Sequence, residues 1–412
     1  RPKNTRRALS QQIVGEPRLD RLPILKCWPE DGGRFFTLPL VMSQDPETGA
    51  GNMGMYRMQM YDERTTGMHM QIQKGGGFHY QKAEKMGKPL EMAVAVGGDP
   101  SLILAAIMPL PEGLDEVAFS GIVRGQRTPM TKAKTIDMKV PAHAEFVFEG
   151  VLRPRVRRLE GPFGDHFGHY SDAADHPVFE ITRMTHRKNA IYPATVVGRP
   201  PQEDRYLGDA AQLALTPLVS LIRREVKDMW AYYEAGFHNL LVVSVDPRYQ
   251  REAIKTALGL LGDGQLSLTK NLVLVGPDVN PRDCSQVMQA IRRNFDPEQD
   301  FHLIARTAAD TLDFTGEGLH KGSKMILDAT GGPLGERGLS AVAVPANINA
   351  IAPGIVKHRL VGKTMLVVQT TGQGREVVQK LVNNPLLGSV KIVVAVSADV
   401  DIDDDENLLW GI

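Results

Sequence analysis

Cysteine is almost missing from this chain: Cys27 and Cys284 are the only two in 412 residues, they stand far apart, and no C-x-x-C occurs. That excludes a disulfide framework and a cysteine zinc site, and makes a reducing cytoplasm the expected compartment. An excess of either charge is also lacking, with 48 Lys and Arg against 48 Asp and Glu. No global basic field exists to gather nucleic acid. The run Arg153, Arg155, Arg157 and Arg158 is a local exception that Pro154 interrupts, and it reads as a solvated loop. No apolar stretch approaches the ~20 residues that span a bilayer, and the first residues lack the basic-then-apolar pattern of a signal peptide. A soluble protein with neither a nucleic-acid partner nor a membrane span is expected.

What is present is length and punctuation. Single cores stop growing near about 250 to 300 residues, so 412 residues predict two or more domains. From about 35 to 205 the chain reads as short strands separated by turn residues: 35–41, 54–61, 68–73, 92–96, 131–138, 144–152, 178–187 and 190–197. A helix over 101–107 follows the turn Gly97-Gly98-Asp99-Pro100. A longer one, over about 209–233, is apolar at Leu213, Leu218, Leu221 and Ile222.

The second half alternates strand and helix and repeats itself. Leu272-Val273-Leu274-Val275 with Asp283, Val287 and Ile291 matches Val393-Val394-Ala395-Val396 with Asp404, Leu408 and Ile412. Each copy follows another strand and helix, which implies two related βαβα units on parallel sheet. The turn Thr371-Gly372-Gln373-Gly374-Arg375 lacks the third glycine of a dinucleotide loop and reads as a plain βα turn. The acidic run 399–406 lacks the glycine and terminal glutamate of an EF-hand and reads as an anion-rich helix start.

The most informative segment is Glu160-Gly161-Pro162-Phe163-Gly164-Asp165, two carboxylates in a loop that proline and glycine keep from being a plain helix. Upstream, Asn52-Met53-Gly54-Met55-Tyr56-Arg57 supplies a cation that can hold a carboxylate in a bidentate fork and is never deprotonated. An arginine with paired carboxylates points to proton chemistry on an acid.

The segments NMGMYR, VPAHAEFVFEG, EGPFGDHFGHY and GRPPQED, with GSK and LDAT further on, resemble the UbiD family of decarboxylases, which use prenylated FMN. The resemblance implies an α/β chain, α+β overall: a β-rich, split-barrel-like flavin-binding domain over 35–205, a linker helix over 206–235, and an α/β region over 236–412 carrying the repeat, in about 236–300 and 360–412. Residues 1–34 are expected to be the remnant of an N-terminal domain, both ends looking cut. Arg57, Glu160 and Asp165 match the catalytic network, with Glu160 orienting Arg57 and Asp165 donating the proton. Asn52 and Glu145 match ligands of Mn²⁺ or Mg²⁺, hard cations suited to oxygen donors, Gln73 stands at the third ligand position, and K⁺ is a further candidate. Gly54 is expected to form a bulge or turn that lets Asn52 and Arg57 both reach the cofactor.

Met55, Tyr56, Arg57, His69, Met70, Gln71, Lys74 and Gly75 align with flavin-wrapping positions, and Lys324 with one that reaches the cofactor phosphate. His166 and His169 flank the acid loop as candidate substrate contacts. The implied reaction is reversible decarboxylation of an aromatic or α,β-unsaturated acid by a homo-oligomer, dimer or hexamer, supplied by a flavin prenyltransferase. TTGMHMQIQKGGG and QEDRYLG resemble the longer members linked to menaquinone biosynthesis, whose substrate is a dihydroxynaphthoate. The alternatives are a carboxylase subunit acting on a phenol or polycyclic arene, and a noncatalytic cofactor-binding subunit. Retention of Arg57, Glu160 and Asp165 speaks against the latter.

Overall fold

Leu90-Glu91-Met92-Ala93-Val94-Ala95-Val96 offers almost no polar alternation, so a strand made from it must be covered on both faces. A computed structural model, which describes all residues but 1, 71–74, 111–112, 317, 319–320 and 332–341, shows that arrangement. The chain divides into two units, Arg1–Gly198 with Gln202–Leu207, and Arg199–Pro201 with Gly208–Ile412.

The first unit carries strands β1 (Lys3–Asn4), β2 (Ile13–Gly15), β3 (Arg34–Phe36), β4 (Pro39–Gln44), β5 (Gly51–Met55), β6 (Met58–Met60), β7 (Thr65–Gly67), β8 (Leu90–Val96), β9 (Pro129–Lys132), β10 (Lys139–Pro141), β11 (Phe146–Glu160), β12 (Phe163–Gly164), β13 (Tyr170–Ser171) and β14 (Ala174–His186). Its helices are α1 (Gly75–Lys85), α2 (Pro100–Ile107) and α3 (Glu116–Val123). Nine strands form one curled sheet in the order β3-β6-β7-β14-β11-β8-β4-β5, with β2 also on β14. Met92, Val94 and Val96 face one core with Phe148, Phe179 and Ile181. Ala93 and Ala95 face the other, where their small side chains admit Leu102, Ala105 and Ala106 of α2.

Helix α4 (Arg205–Ile222) is followed by β15 (Val226–Ala231), β16 (Leu240–Val245), α5 (Glu252–Leu261), β17 (Asn271–Val275), α6 (Cys284–Asn294), β18 (Phe301–Thr307) and β19 (Gly322–Ala329). Then come β20 (Ile355–Val361), β21 (Met365–Thr370), α7 (Gly374–Val382), β22 (Ile392–Ser397) and α8 (Asp405–Gly411). The repeat is β16-α5-β17-α6 and β21-α7-β22-α8, with β16 parallel to β17 and β21 parallel to β22. The matched aspartates do the same work: Asp283 accepts from the first-turn amides of α6, and Asp404 from that of Asn407 in α8. The copies lie in separate sheets, β15-β16-β17-β19-β18 with antiparallel strands at both edges and β20-β21-β22 with one at β20.

Five expected strands and one helix differ: 35–41 divides into β3 and β4, and 54–61 into the end of β5 and β6. Past Lys132 only the Ala133 amide continues the 131–138 ladder, on the Met138 carbonyl, because the amides of Lys134 and Thr135 donate to the buried Glu149 carboxylate. Residues 190–197 form no strand, since the amides of Thr195 and Val196 are taken by the Thr37 hydroxyl and the Glu203 carboxylate. Residues 68–70 are irregular, with 71–73 outside the described set. The long helix ends at Ile222, and 226–231 pairs with β16 instead, tertiary pairing overriding the helical period. Nor is 1–34 a separate remnant here: β2 joins the sheet, and the Asp31 carboxylate accepts from Gly164 in the acid loop, 2.8 Å away. No helix among the described residues is long and apolar enough to cross a membrane.

Candidate active site

Regular β4–β5 pairing runs from Leu40 opposite Met55 to Gln44 opposite Gly51, and the strand breaks only at Tyr56 and Arg57. The break turns Arg57 out of the ladder. Gly54 is therefore not a bulge: a Cβ there would lie 2.4 Å from the Tyr56 hydroxyl, so its bareness lets the ring fold back over the strand. Glu160 ends β11, and Gly161, at φ +96°, makes the turn that only glycine takes without strain. Gln59 clamps this turn by accepting from the Gly161 amide at 2.7 Å and donating to the Gly32 carbonyl at 2.9 Å.

These elements bring Arg57, Glu160 and Asp165 together. The Arg57 side chain is 8% exposed and that of Glu160 not at all. Arg57 Nε donates to Glu160 Oε1 at 3.0 Å, one terminal nitrogen bonds Asp165 Oδ2, and the other donates to Ser171 Oγ at 2.9 Å. Phe163 underlies the guanidinium, its ring centroid 4.8 Å away. His69 Nδ1 stands 2.8 Å from Glu160 Oε2, and His176 Nε2 3.5 Å from the same oxygen. His166 Nδ1 lies 2.8 Å from Asp165 Oδ1, which also takes the His166 amide.

Burial alone would raise both carboxyls. For Glu160 the His69 bond and the Arg57 charge overcome it, leaving the group below the ordinary glutamate value. For Asp165 the His166 bond and the Arg57 charge do so more strongly and hold it well below the usual carboxylate range. Arg57 thus binds both carboxylates, and Asp165 is ionised at rest. Burial first, and the His69 charge second, push His176 down to about 4.

A second cluster surrounds Asn52. Its Nδ2 donates to the Tyr56 hydroxyl at 3.3 Å, and the Gly76 amide at the start of α1 donates to the same oxygen at 3.2 Å. A Cβ on Gly75 would stand 2.1 Å from Asn52 Oδ1, so glycine lets the helix start come this close. Glu116, the first residue of α3, accepts from the Met53 amide at 3.1 Å, and burial raises its carboxyl. Glu145 is elsewhere. Asn52 shares a row with Ser43, Met92 and Gly150, whereas Glu145 precedes Phe146 by one residue, five residues from Gly150 along β11, about 16 Å at strand rise. Its carboxylate is taken by Arg187 at 2.6 Å and the Ile191 amide at 3.1 Å. One cation cannot bridge Asn52 and Glu145.

Met55 and Met70 are half-buried against the two cores. Gln71, Gln73 and Lys74 lie outside the described residues. Lys324 sits on β19 in the second unit, its ammonium on the Thr269 carbonyl at 2.8 Å and pushed down by burial. The His169 carbonyl accepts from the Asp165 amide and closes the acid turn. Among the described residues, the His, Cys, Asp and Glu groups near enough to share a cation are His69, Glu160 and His176, within 4.8 Å. There Arg57 already supplies positive charge to the shared carboxylate. Asp31, Gln59, Glu116, Ser171 and His176 escaped the sequence reading. Only Glu116 carried a signal, an acid one residue after the Asp115 cap.

Residues 2–200 match the family model of the 3-octaprenyl-4-hydroxybenzoate carboxy-lyase Rift-related domain, and 205–329 that of the carboxy-lyase C-terminal domain. The chain belongs to the UbiD family of carboxy-lyases. An uncharacterized protein of Archaeoglobus fulgidus is 46% identical over 80% of this chain and 68% of its own length. A 4-hydroxybenzoate decarboxylase polypeptide of Chlamydia pneumoniae is 45% identical over 76% and 54%. This UbiD chain thus spans roughly half to two thirds of such relatives. Its fold is similar to the vanillic acid decarboxylase of Sedimentibacter hydroxybenzoicus in closed form, with TM-score 0.78 and 28% identity over 84% of this chain and 76% of that one. It is also similar to the UbiD-class enzyme HmfF of Pelotomaculum thermopropionicum in complex with FMN, with TM-score 0.72 and 26% identity over 84% and 78%.

Proposed function

We propose that this chain carries out reversible non-oxidative decarboxylation of an aromatic or α,β-unsaturated carboxylic acid with prenylated FMN, and that a dihydroxynaphthoate of menaquinone biosynthesis is its substrate. The observation that carries the reading is one buried guanidinium shared between the buried Glu160 carboxylate and the partly buried Asp165 carboxylate, the second of which contacts a histidine. The similarity to HmfF, bound to FMN, supports the cofactor class. Support for the naphthoate lies in the TTGMHMQIQKGGG and QEDRYLG segments.

Asn52, Glu116 and the start of α1 fit a phosphate held through Mn²⁺ or Mg²⁺. Their donors are hard oxygens and amides, and the raised Glu116 carboxyl is what a nearby cation would return to its charged form. Gln73 remains the proposed third ligand, and Lys324 a proposed phosphate contact. Prenylated FMN, when bound, supplies the electron sink for loss of CO₂.

The protein's own part is positioning and proton delivery. A substrate carboxylate that takes a terminal nitrogen of Arg57 loosens its hold on Asp165, whose burial then favours the neutral acid. The proton comes from His166, bonded to Asp165, and passes from the Asp165 carboxyl to the carbon that CO₂ has left. Charge and atoms balance: one carboxylate and one proton enter, CO₂ and a C–H bond leave.

The test is CO₂ release by protein co-expressed with a flavin prenyltransferase, on 1,4-dihydroxy-2-naphthoate and on hydroxylated benzoates. Asp165→Asn should keep the cofactor's absorption yet lower turnover by about 10²- to 10⁴-fold and suppress solvent deuterium entering the product. Parent-level turnover and exchange in that variant would remove Asp165 from its role.

A further inference from the structure

Glu160 has two oxygens and the structure uses them differently. Oε1 takes Arg57, while Oε2 faces two imidazoles, His69 Nδ1 at 2.8 Å and His176 Nε2 at 3.5 Å. The imidazole rings lie against each other, centroids 4.3 Å apart and planes 34° apart. They come from separate elements: His176 is near the start of β14, and His69 follows β7. His69 is also tied to the arginine it serves, its amide donating to the Arg57 carbonyl at 3.2 Å. The decarboxylation outlined above gives neither ring a task.

We propose that His69 and His176 form one positioning unit that holds a single proton against Glu160, His69 being the charged donor and His176 the neutral ring behind it. Two imidazolium ions in contact and largely out of water repel each other, so the second proton is refused. The low value of His176, about 4, agrees.

The consequence is charge balance. Facing the pair are Glu160 from β11, Arg57 from the β5–β6 connection, Asp165 with His166 from the acid loop, Asp175 beside His176, and Tyr61. Asp175 is exposed, and His166 answers to Asp165. With Asp165 balanced by the His166 that protonates it, Arg57 and a charged His69 outweigh Glu160 by one charge, so an incoming carboxylate meets a net positive site. Without the His69 proton it meets a neutral one, and Glu160 loses its strongest donor on Oε2. Only the kinetic consequence rests on the decarboxylase reading; the shared proton does not.

Two measurements decide it. In holoenzyme labelled with ¹³C at histidine Cε1, and assigned through His69→Gln and His176→Gln, one ring should be charged and its neighbour neutral at pH 7. No pH from 5 to 8 should charge both, and the charged signal should vanish in His69→Gln and persist in His176→Gln. Two charged rings, or two neutral ones at pH 7, would overturn the proposal. In kinetics with 3,4-dihydroxybenzoate, 4-hydroxybenzoate and 1,4-dihydroxy-2-naphthoate as probes, kcat/KM should fall on the alkaline side as the shared proton leaves. His69→Gln, which keeps a donor but no charge, should raise KM at least tenfold with a smaller change in kcat. His69→Arg, charged throughout, should move the alkaline limb up by at least one pH unit. An unmoved limb sinks the charge role. Absence of turnover on every probe would count against the decarboxylase reading, while the NMR result still decides the shared proton.

Discussion

Each unit of this protein buries a pair of carboxylates against cations, yet the two clusters differ in which partner is hidden. In the second unit Glu225 and Glu252 are buried, while Arg248 and Lys255 leave 58% and 53% of their side chains in solvent. Glu225 accepts from the Thr256 hydroxyl at 2.6 Å and from Lys255 at 3.2 Å, and Arg248 bonds Glu252. In the first unit the cation itself is buried, and both carboxylates compete for it. The first arrangement anchors a helix; the second stores an imbalance that an incoming acid can tip. Buried charge is therefore informative only together with the question of which sign water still reaches.

Arg57→Met should produce the largest effect on stability. It leaves Glu160 and Asp165 without their common partner, which at buried pairs costs about 3 to 5 kcal/mol, read as a lowered urea midpoint, with decarboxylation abolished. Glu116→Ala should come next, giving folded protein that copurifies without Mn²⁺ and without flavin. Glu145→Ala should keep both, its carboxylate serving Arg187; metal content and native mass separate the two variants, and the reverse pattern would restore Glu145 as the ligand.

Acid should expose the second cluster. Burial would raise Glu225, but Thr256 and Lys255 outweigh it and hold the carboxyl at about 2. A depressed carboxyl contributes stability that is whole above the ordinary glutamate value of 4.5 and is lost as pH falls from there toward about 2. Glu225→Gln should flatten that part of the stability profile, measured by urea unfolding from pH 5 to 2. The smallest change belongs to Arg248→Met, because solvent screens its charge. Its midpoint should shift far less than that of Arg57→Met, with kcat/KM unchanged; equal shifts would erase the distinction between the clusters.

Much of the site was legible because its residues sit in short segments where proline and glycine forbid regular structure, as at 160–165, or where an arginine interrupts a run of methionines, as at 52–57. The α/β alternation and the duplicated capping aspartates, Asp283 and Asp404, were legible for the same local reason. Glu145 misled because VPAHAEFVFEG reads as one strand whichever glutamate is chosen, and strand periodicity says nothing about which row of a sheet a residue joins. The end of the long helix was missed because 226–231 becomes a strand by antiparallel pairing with β16, the next strand, and helical periodicity does not register that pairing.

The amino-acid sequence by itself determined the alternation of elements, the turn at Glu160-Gly161-Pro162 and the presence of an arginine with two acids, since each depends on side chains a few residues apart. Tertiary structure alone decided that Asp31 and Gln59 clamp that turn, that Glu116 and not Glu145 stands beside Asn52, and that His69 and His176 meet over Glu160. Those contacts join residues from 16 to 133 positions apart. They exist only because strand register brings distant residues into one layer, and no local pattern encodes register across a nine-stranded sheet.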